Sequence, residues 1–457
     1  MPDDFVGVTL DECPRPFQIV QQGSDGAAVV GFRGRWRHAS SHARVEIRIV
    51  RETDQTPVCP WQAATLREGD RWEHLIEGIP AGGLYRTETR LVVPDLPPEC
   101  GPHGQFVHHW GVGDLWVIAG QSNAAGYGRG PVHDPPRLGL HILKNNETWD
   151  IADHPLNDPT GSKHPNTEIA NPGHSPYLSF ARRLNDILGY PIGLIQTALG
   201  NTRLAEWNPV ENPSAPLYHN LLHCIRLAGG RVRGLLWYQG ESDTNPGLAE
   251  TYEARFSDFV GRLRAELNAP DLPIVLAQSN RYTGQQSPEE HRGWSIIREA
   301  QRNARKLGNV AVVPTLDLPL SDDCHTSPEG NLLLGLRKAD AALGLLHVRQ
   351  SSCGFPDIHE AVAGTDHRTI DLGFDSVPSR LQFIAPGDAD FLVEDRGEMI
   401  QIRRAEVVER NRVRLILSRP VTLNACVHSA LGANPPANLR DVEQNVPVLA
   451  FYGLPVR

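Results

Sequence analysis

Long hydrophobic runs are missing from this sequence of 457 residues. Because no stretch of 18 consecutive apolar residues occurs, the sequence predicts a soluble protein without a membrane-spanning helix. An excess of basic residues is also missing, since 44 Lys and Arg residues face 54 Asp and Glu residues for a formal net charge of −10. The basic residues lie scattered among acidic neighbours, which argues against nucleic acid or an acidic membrane surface as a partner.

Paired cysteine motifs are absent as well. The seven cysteines show no CxxC spacing, which favours reduced thiols over a disulfide framework or a zinc site. They are Cys13, Cys59, Cys100, Cys224, Cys324, Cys353 and Cys426. The first residues, MPDDFVGVTLDECPRPF, contain neither the basic nor the apolar segment of a secretory signal. As written, the sequence predicts a cytoplasmic protein, or a secreted one if a leader was removed.

The length of the chain predicts about three domains. Residues 1–110 contain short alternating segments such as ARVEIRIV, separated by Gly, Asp and Pro clusters, and predict an antiparallel β-sandwich-like domain. Residues 111–350 predict an α/β catalytic domain, and residues 351–457 return to short strands that predict a C-terminal β module.

Strand-like and helical segments alternate through the central region. Apolar runs occupy residues 114–119, 191–198, 232–238, 272–278 and 309–315. Helical stretches lie at about 176–189, 215–229, 248–268, 291–307 and 327–346. Five such repeats predict a parallel five-stranded sheet that is covered by helices on both faces. The long Pro, Asn, His and Gly-rich insertion at about 128–175 is predicted to form a wall of a substrate cleft.

Ser122 follows the first of these strands in DLWVIAGQSN, residues 114–123, where the apolar run stops at a glycine. A serine in such a turn is ordinary by itself. Three later motifs also follow predicted strands, and they are ALGNTRLAEW at 198–207, LWYQGESD at 236–243 and LSDDCHTSPEGNLLLGLR at 320–337. Because ligands bind at the carboxyl ends of parallel strands, we expect these motifs to share one site.

The residue types in these motifs are those that acyl transfer requires. Ser122 is the candidate nucleophile, His325 the base that takes its proton, and Asp322 the carboxylate that orients the imidazole. Asp323 and Asp317 are the alternative orienting carboxylates. Alternatively, His325 belongs to the cap region of the helix that follows.

Donors for a developing oxyanion are also present. The candidates are the backbone N–H groups of Ser122 and Gly200 and the side-chain amide of Gln239. The alternative interpretation of Gly200 is an ordinary turn glycine, and that of Gln239 is a structural hydrogen-bonding residue. Supporting or substrate-binding roles are predicted for Asn123, Tyr127, Asn201, Trp207 and Glu241. Among these, Tyr127 and Trp207 are either walls for a sugar ring or core residues.

Several other motifs are less informative. Ser279 lies in a second QSN sequence but lacks the preceding glycine. Glu241 and Asp243 share one loop and lack the opposing carboxylate that glycoside hydrolysis needs, so Glu241 is predicted to brace the Ser122 loop. The histidines His103, His108 and His109 show no metal-ligand spacing. The sequence therefore predicts no metal and no cofactor.

With these residues the chain resembles the SGNH-type hydrolases, and within them the sialate O-acetylesterase-like carbohydrate esterases, including relatives of acetylxylan esterases. The matching motifs are VIAGQSN, TALGNTRLAEW, LWYQGESD, WSIIREAQ with Trp294, Arg298 and Gln301, and DDCHTSPEGNLLLGLR. The sequence departs from the family pattern at Ala124, where Met is usual, and at Asn201, where a second Gly is common.

The resemblance implies an SGNH-type three-layer α/β/α core and removal of O-acetyl groups from sugars by a serine mechanism. The expected partner is an acetylated carbohydrate, and the oligomeric state is not predicted. Two alternatives remain: a general short-chain carboxylesterase or lipase-like hydrolase, and a non-catalytic carbohydrate-binding protein.

Overall fold

A computed structural model describes residues 6–40, 42–94, 96–169, 173–348, 354–385, 390–422 and 424–457. Cys353 and the domain boundary predicted at residues 350/351 lie outside these ranges. No helix in the described ranges is long and apolar enough to cross a membrane.

Two packed β-sheets form the N-terminal part of the chain. Their strands are β1 (Gly7–Val8), β2 (Ile19–Gln21), β3 (Ala27–Arg37), β4 (Arg44–Arg51), β5 (Pro57–Ala63), β6 (Thr65–Leu66), β7 (Arg71–Pro80), β8 (Gly82–Val92) and β9 (His103–Gly120). One sheet has the order β1-β3-β7-β6, and the other joins β5, β4, β8, β9 and β2. Inward residues such as Phe32, Ile47 and Trp72 are fully buried between the sheets. The pairs are antiparallel except for β2 with β9.

The strand β9 runs through two parts of the molecule without a break. Its first half pairs with β8 and β2, and its second half, from Asp114 onward, pairs with strands of the central sheet. The domain boundary predicted at residues 110/111 therefore falls inside a strand. Sequence patterns missed this continuity because the partners of the second half lie about eighty residues or more further along the chain.

The central region is a mixed α/β unit. After β9 come α1 (Ser122–Ala125), β10 (Leu140–Leu143), β11 (Trp149–Ile151), α2 (Tyr177–Leu188), β12 (Ile192–Gln196), α3 (Pro216–Leu227), β13 (Gly234–Tyr238), α4 (Leu248–Glu266), β14 (Ile274–Ala277), α5 (Pro288–Asn303), β15 (Val310–Val313) and α6 (Pro328–Leu345). Short 3-10 turns lie at Pro98–Cys100, Leu204–Trp207, Glu241–Asp243 and Ala304–Leu307.

The central sheet has the order β11-β10-β12-β9-β13-β14-β15. All neighbours are parallel except β11, which pairs antiparallel with β10. The predicted five parallel strands are therefore corrected to six, because β10 in the long insertion adds to the sheet next to β12. Runs such as IGLIQ and VAVV are buried throughout since helices cover both faces.

Helices pack on the two faces in separate groups. On one face α2 and α6 contribute Phe180, Leu184 and Leu334 to a buried cluster. On the other face α3, α4 and α5 contribute Leu221, Phe256 and Ile297. This arrangement leaves the carboxyl ends of the parallel strands uncovered at one edge.

The C-terminal part is all β. Its strands are β16 (Asp357–Ala363), β17 (Thr369–Asp375), β18 (Leu381–Phe383), β19 (Phe391–Asp395), β20 (Glu398–Ile400), β21 (Ile402–Glu409), β22 (Arg412–Leu417), β23 (Ala425–Ser429), β24 (Leu439–Asp441) and β25 (Phe451–Pro455). They form sheets of order β16-β17-β22-β21 and β20-β19-β23-β25, with β18 and β24 as a separate pair. Ile370, Val413 and Val427 are buried within this module.

Arg298 on α5 fixes the C-terminal module to the central region. Its fully buried guanidinium donates hydrogen bonds to the carbonyl oxygens of Ser279 and Asn280 at 2.9 Å each and of Ala433 at 3.1 Å. It also donates to the carbonyl oxygen of Gly432. Because these acceptors come from both parts of the chain, the cation holds the two surfaces together.

Close packing of α2 against α6 predicts opposite effects for two helical glycines. A Cβ on Gly335 would lie 1.8 Å from the Ser179 hydroxyl and 2.3 Å from the Pro176 carbonyl oxygen, whereas a Cβ on Gly261 would meet nothing within 4 Å. We expect Gly335→Ala to lower the free energy of unfolding by about 1–3 kcal/mol. Gly261→Ala should raise it by about 0.5–1 kcal/mol. Urea unfolding of both variants measures the difference, and equal effects would contradict this packing.

Candidate active site

Ser122, His325 and Asp322 form a hydrogen-bonded row at the carboxyl edge of the sheet. The Ser122 hydroxyl oxygen lies 2.9 Å from His325 Nε2, and His325 Nδ1 lies 2.7 Å from Asp322 Oδ2. Ser122 opens α1 directly after β9, whereas the other two residues lie in the loop between β15 and α6. An imidazole held in this way can accept a proton from the hydroxyl while a carboxylate holds its other N–H.

The turn before Ser122 requires a glycine. Gly120 has a φ of +130°, and a Cβ there would lie 2.1 Å from the Tyr238 carbonyl oxygen on β13. Only a residue without a side chain fits this conformation and this approach. The glycine that ends the apolar run therefore brings β9 against its neighbour and presents Ser122 at the sheet edge.

The Asp322 carboxylate is held by its own loop. Its Oδ1 accepts hydrogen bonds from the backbone N–H groups of Cys324 at 3.0 Å and His325 at 2.8 Å. Burial alone would raise the Asp322 pKa, but these bonds and the His325 ring outweigh it and lower the pKa below its ordinary value. The alternative carboxylates have other partners: Asp323 accepts from the Thr283 hydroxyl, and Asp317 forms a bidentate pair with Arg337.

Cys324 lies beside the imidazole without the properties of a nucleophile. Its Sγ is 3.6 Å from His325 Nε2. Burial, together with the charge of Asp322, raises the pKa of the thiol to about 12. The thiol therefore stays protonated at neutral pH and fills space in the loop.

Asn123 ties the serine turn to the histidine loop. Its amide nitrogen donates to Glu241 Oε1 at 3.0 Å and to the Cys324 carbonyl oxygen at 3.1 Å, and its amide oxygen accepts from the Thr326 N–H at 3.0 Å. These bonds fix the residue next to Ser122 from two sides. Glu241 thus contacts the serine turn through Asn123.

Glu241 carries an unusual carboxylate. Its second oxygen, Oε2, is buried and has no hydrogen-bond partner among the described residues. Burial raises the Glu241 pKa above its ordinary value, despite the opposing effects of the Asn123 hydrogen bond and of the charges of His325 and Arg298. The group that braces the serine turn is therefore electrostatically strained at neutral pH.

The structure corrects the prediction that Gln239 donates to an oxyanion. Its side chain is fully buried, and its amide nitrogen donates to the Thr202 carbonyl oxygen at 3.1 Å and to Asp243 Oδ2 at 2.7 Å. Its amide oxygen accepts from the Tyr252 hydroxyl at 2.9 Å. Both polar atoms of the amide are hydrogen-bonded within the core, so of the two alternatives for Gln239 the structural role is the correct one.

The other two predicted donors differ from each other. The backbone N–H of Gly200 donates to Glu168 Oε2 at 2.8 Å, so a carboxylate of the same chain already occupies it. No acceptor among the described residues takes the N–H of Ser122. No sequence signal pointed to Glu168, because it lies in the irregular insertion far from the motif that contains Gly200.

The predicted substrate-contacting residues Trp207, Tyr127 and Asn201 lie in different environments. Trp207 is fully buried and packs edge-on against Trp237 at 5.4 Å, so it is the core residue of the two alternatives. The Tyr127 ring stacks on the His325 ring with centroids 4.7 Å apart. Asn201 is exposed in the turn after β12 with a φ of +57°, which explains why a glycine can also occupy this position.

The second QSN serine and the junction histidines have structural partners. Ser279 is fully buried, and its hydroxyl oxygen accepts from the Gln301 amide at 2.9 Å. His108 and His109 each place Nδ1 against the Glu52 carboxylate, at 3.1 Å and 2.7 Å. These pairs link β9 to the turn that follows β4.

Three further groups of His, Cys, Asp or Glu in the described ranges bring ligand-type atoms within 4.8 Å of one another. They are Asp134 with His154 and His174, Glu147 with His164 and His223, and Glu394 with Cys426 and His428. In the first, Arg182 lies 2.5 Å from the carboxylate and would repel a cation. Glu147 likewise has the Lys163 ammonium at 3.3 Å. His428 Nδ1 accepts from the Gly453 N–H, so Nε2 carries the proton and cannot bind a metal.

Comparison with known proteins places this site within one matched segment. A family model described as carbohydrate esterase, sialic acid-specific acetylesterase matches residues 112–344, about half of the chain. A probable carbohydrate esterase from Arabidopsis thaliana is 30% identical over 256 residues, which cover 50% of this chain and 90% of that protein. Sialate O-acetylesterases from Pongo abelii and Homo sapiens are 24% identical over 262 residues. The chain spans about half their length, since the match covers 47% of each.

A solved structure extends the likeness to the flanking β modules. The crystal structure of a carbohydrate acetylesterase from Xanthomonas citri aligns over 96% of this chain and 99% of that chain, with a TM-score of 0.67 and 20% sequence identity. At this identity the likeness shows a shared fold, including the extra β-sheets on both sides of the α/β unit.

The raised pKa of Glu241 predicts a pH-dependent change in stability for Glu241→Gln. The native state keeps a proton on Glu241 at pH values where the unfolded chain has lost it, so native stability falls as the pH rises through that range. Gln has no such proton to lose. We therefore expect the stability of Glu241→Gln relative to the unmutated protein to increase as the pH rises above 4.5, the ordinary pKa of a glutamic acid side chain.

Urea unfolding at several pH values measures this effect. The exposed residue Glu68 provides the matched control, Glu68→Gln. If the difference in free energy of unfolding between Glu241→Gln and the unmutated protein stays constant or shrinks with rising pH, the Glu241 pKa is not raised in the native state.

Proposed function

This chain belongs to the carbohydrate esterase, sialic acid-specific acetylesterase family, whose members are carboxylic ester hydrolases, and we propose that it removes acetyl groups from acetylated sugars by a serine mechanism. The proposal is supported by one observation above all. Within the matched residues, His325 lies 2.9 Å from the Ser122 hydroxyl and 2.7 Å from Asp322.

The first chemical step is attack of Ser122 on the acetyl carbonyl carbon. His325 Nε2 takes the hydroxyl proton as the new C–O bond forms, and Asp322 stabilises the resulting imidazolium through Nδ1–H. The tetrahedral intermediate collapses when the imidazolium returns this proton to the departing sugar oxygen. Water then attacks the acetyl-enzyme with His325 again acting as base, and acetate and free Ser122 result.

The oxyanion of the intermediate needs hydrogen-bond donors. We assign this role to the backbone N–H of Ser122, which is free of acceptors within the described residues and lies beside the forming bond. The other two predicted donors, Gly200 and Gln239, are occupied by groups of this chain. Of the three oxyanion donors predicted from the sequence, this assignment retains one.

Acetate release from acetylated substrates tests the proposal. The panel contains acetylated xylan, acetylated xyloglucan oligosaccharides and O-acetylated sialic acid, with p-nitrophenyl acetate as a small ester. We expect Ser122→Ala to lower kcat/KM by at least about a thousandfold because the nucleophile is lost. The matched control is Ser279→Ala, which removes the serine of the second QSN sequence and should retain activity.

Each alternative function has its own outcome in this panel. Preference for longer acyl chains over acetyl would indicate a general carboxylesterase. Glycan binding without hydrolysis of any ester would sink the esterase proposal and favour a carbohydrate-binding protein. Equal loss of activity in both serine variants would contradict the assignment of Ser122.

A further inference from the structure

A chain of contacts runs from Gly200 to the candidate base through two side chains. The Gly200 N–H donates to Glu168 Oε2 at 2.8 Å, and the Tyr127 hydroxyl donates to Glu168 Oε1 at 2.5 Å. The Tyr127 ring then stacks on His325, with centroids 4.7 Å apart and planes 29° apart. One buried carboxylate thus holds the ring that covers the imidazole.

The packing around Gly200 is specific to this arrangement. A Cβ at this position would lie 2.8 Å from both Glu168 Oε2 and the Tyr127 hydroxyl oxygen. A side chain at residue 200 would therefore push the pair away from the backbone. The glycine that the sequence offers as an oxyanion donor is instead the anchor for Glu168.

The Tyr127 phenol is held in its neutral form. Burial raises the Tyr127 pKa well above its ordinary value, and the Glu168 carboxylate raises it further. The phenol therefore stays a neutral donor to the Glu168 side chain. A ring whose hydroxyl donates to a carboxylate presents an electron-rich face to the imidazole beneath it.

We propose that Tyr127 is a positioning residue that holds the His325 ring and stabilises its imidazolium form, and that Glu168 fixes Tyr127 in this position. The inference rests on the proposed serine esterase function. When His325 takes the proton of Ser122, the positive charge forms directly under the Tyr127 face. Stabilisation of that charge favours proton transfer in the transition state over the neutral ground state.

Several other polar and charged groups lie near the His325 imidazole or Tyr127. Asp322 faces Nδ1, and Cys324 Sγ lies 3.6 Å from Nε2. The Glu241 carboxyl group interacts electrostatically with His325. Asp323 lies two residues before His325 in sequence but accepts a hydrogen bond from Thr283. The positive charge of Arg129 lowers the Tyr127 pKa and so opposes the effects of burial and of Glu168. The variants below leave all of these groups in place.

The test is the pH profile of kcat/KM for p-nitrophenyl acetate, from about pH 5 to about pH 9. Activity requires neutral His325, so loss of imidazolium stabilisation moves the acidic limb of the profile to lower pH. For Tyr127→Leu we expect this limb to move down by about half a pH unit. The plateau kcat should fall about tenfold because the imidazole loses its support.

Glu168→Gln tests the charge of the side chain at nearly constant side-chain shape. It removes the negative charge but keeps an amide oxygen that can accept from Gly200, and it should move the limb in the same direction. Tyr127→Phe keeps the stacked ring but loses the hydrogen bond to Glu168, so it should move the limb in the same direction, by less than Tyr127→Leu does. The matched control is Tyr190→Phe, which removes another phenol–carboxylate bond, from Tyr190 to Asp114 at 2.9 Å, away from the imidazole.

Three results would overturn the inference. An acidic limb that stays in place in both Tyr127→Leu and Glu168→Gln would show that the pair does not act on the imidazolium. A rise in KM for acetylated sugars alone, with kcat and the limb unchanged, would make Tyr127 a wall of the sugar pocket. An inactive unmutated protein contradicts the proposed function itself, and the mutant profiles are not needed to recognise that case.

Discussion

Pairing along β9 is the constraint on which the rest of the structure depends. Its first half belongs to the N-terminal sheets and its second half to the centre of the parallel sheet, between β12 and β13. Because β9 has partners on both sides at its carboxyl end, the position of Gly120 is fixed to within a hydrogen-bond register. Ser122 follows two residues later, so the location of the candidate nucleophile is set by strand pairing and only secondarily by its own loop.

The histidine loop comes from the other end of the sheet order, after β15, and needs its own attachment to the serine turn. Asn123 supplies it through three hydrogen bonds to Glu241, Cys324 and Thr326. This attachment places a poorly solvated carboxylate, Glu241, beside the site. The same Glu241 carboxylate holds the Asn123 amide, which orients both the serine turn and the histidine loop. Natural proteins commonly contain such locally unfavourable interactions at functional sites.

Local motifs predicted the candidate residues that the structure brings together after their own strands. Ser122 follows β9 by two residues, and Asp322 and His325 lie in the loop after β15, so the α/β pattern brings them to one edge of the sheet. Roles that depend on distant partners were not predictable. Gln239 points into the core because Thr202 and Asp243 take its amide, and Gly200 faces Glu168 from the insertion. The strand β10 was missed for a different reason, since a four-residue strand inside a polar loop gives little periodic signal.

The C-terminal module reaches the site through charge as well as packing. Arg298 has no carboxylate in hydrogen-bond contact among the described residues, and four carbonyl oxygens hold it, two of them from Gly432 and Ala433. Burial lowers its pKa to about 9, so the guanidinium remains positive at neutral pH. That charge acts on Glu241 and opposes the effect of burial on its carboxylate. Removal of the C-terminal carbonyls would leave the cation undersolvated and change the field at Glu241. The module that lies farthest from Ser122 in sequence therefore contributes to the electrostatics of the serine turn.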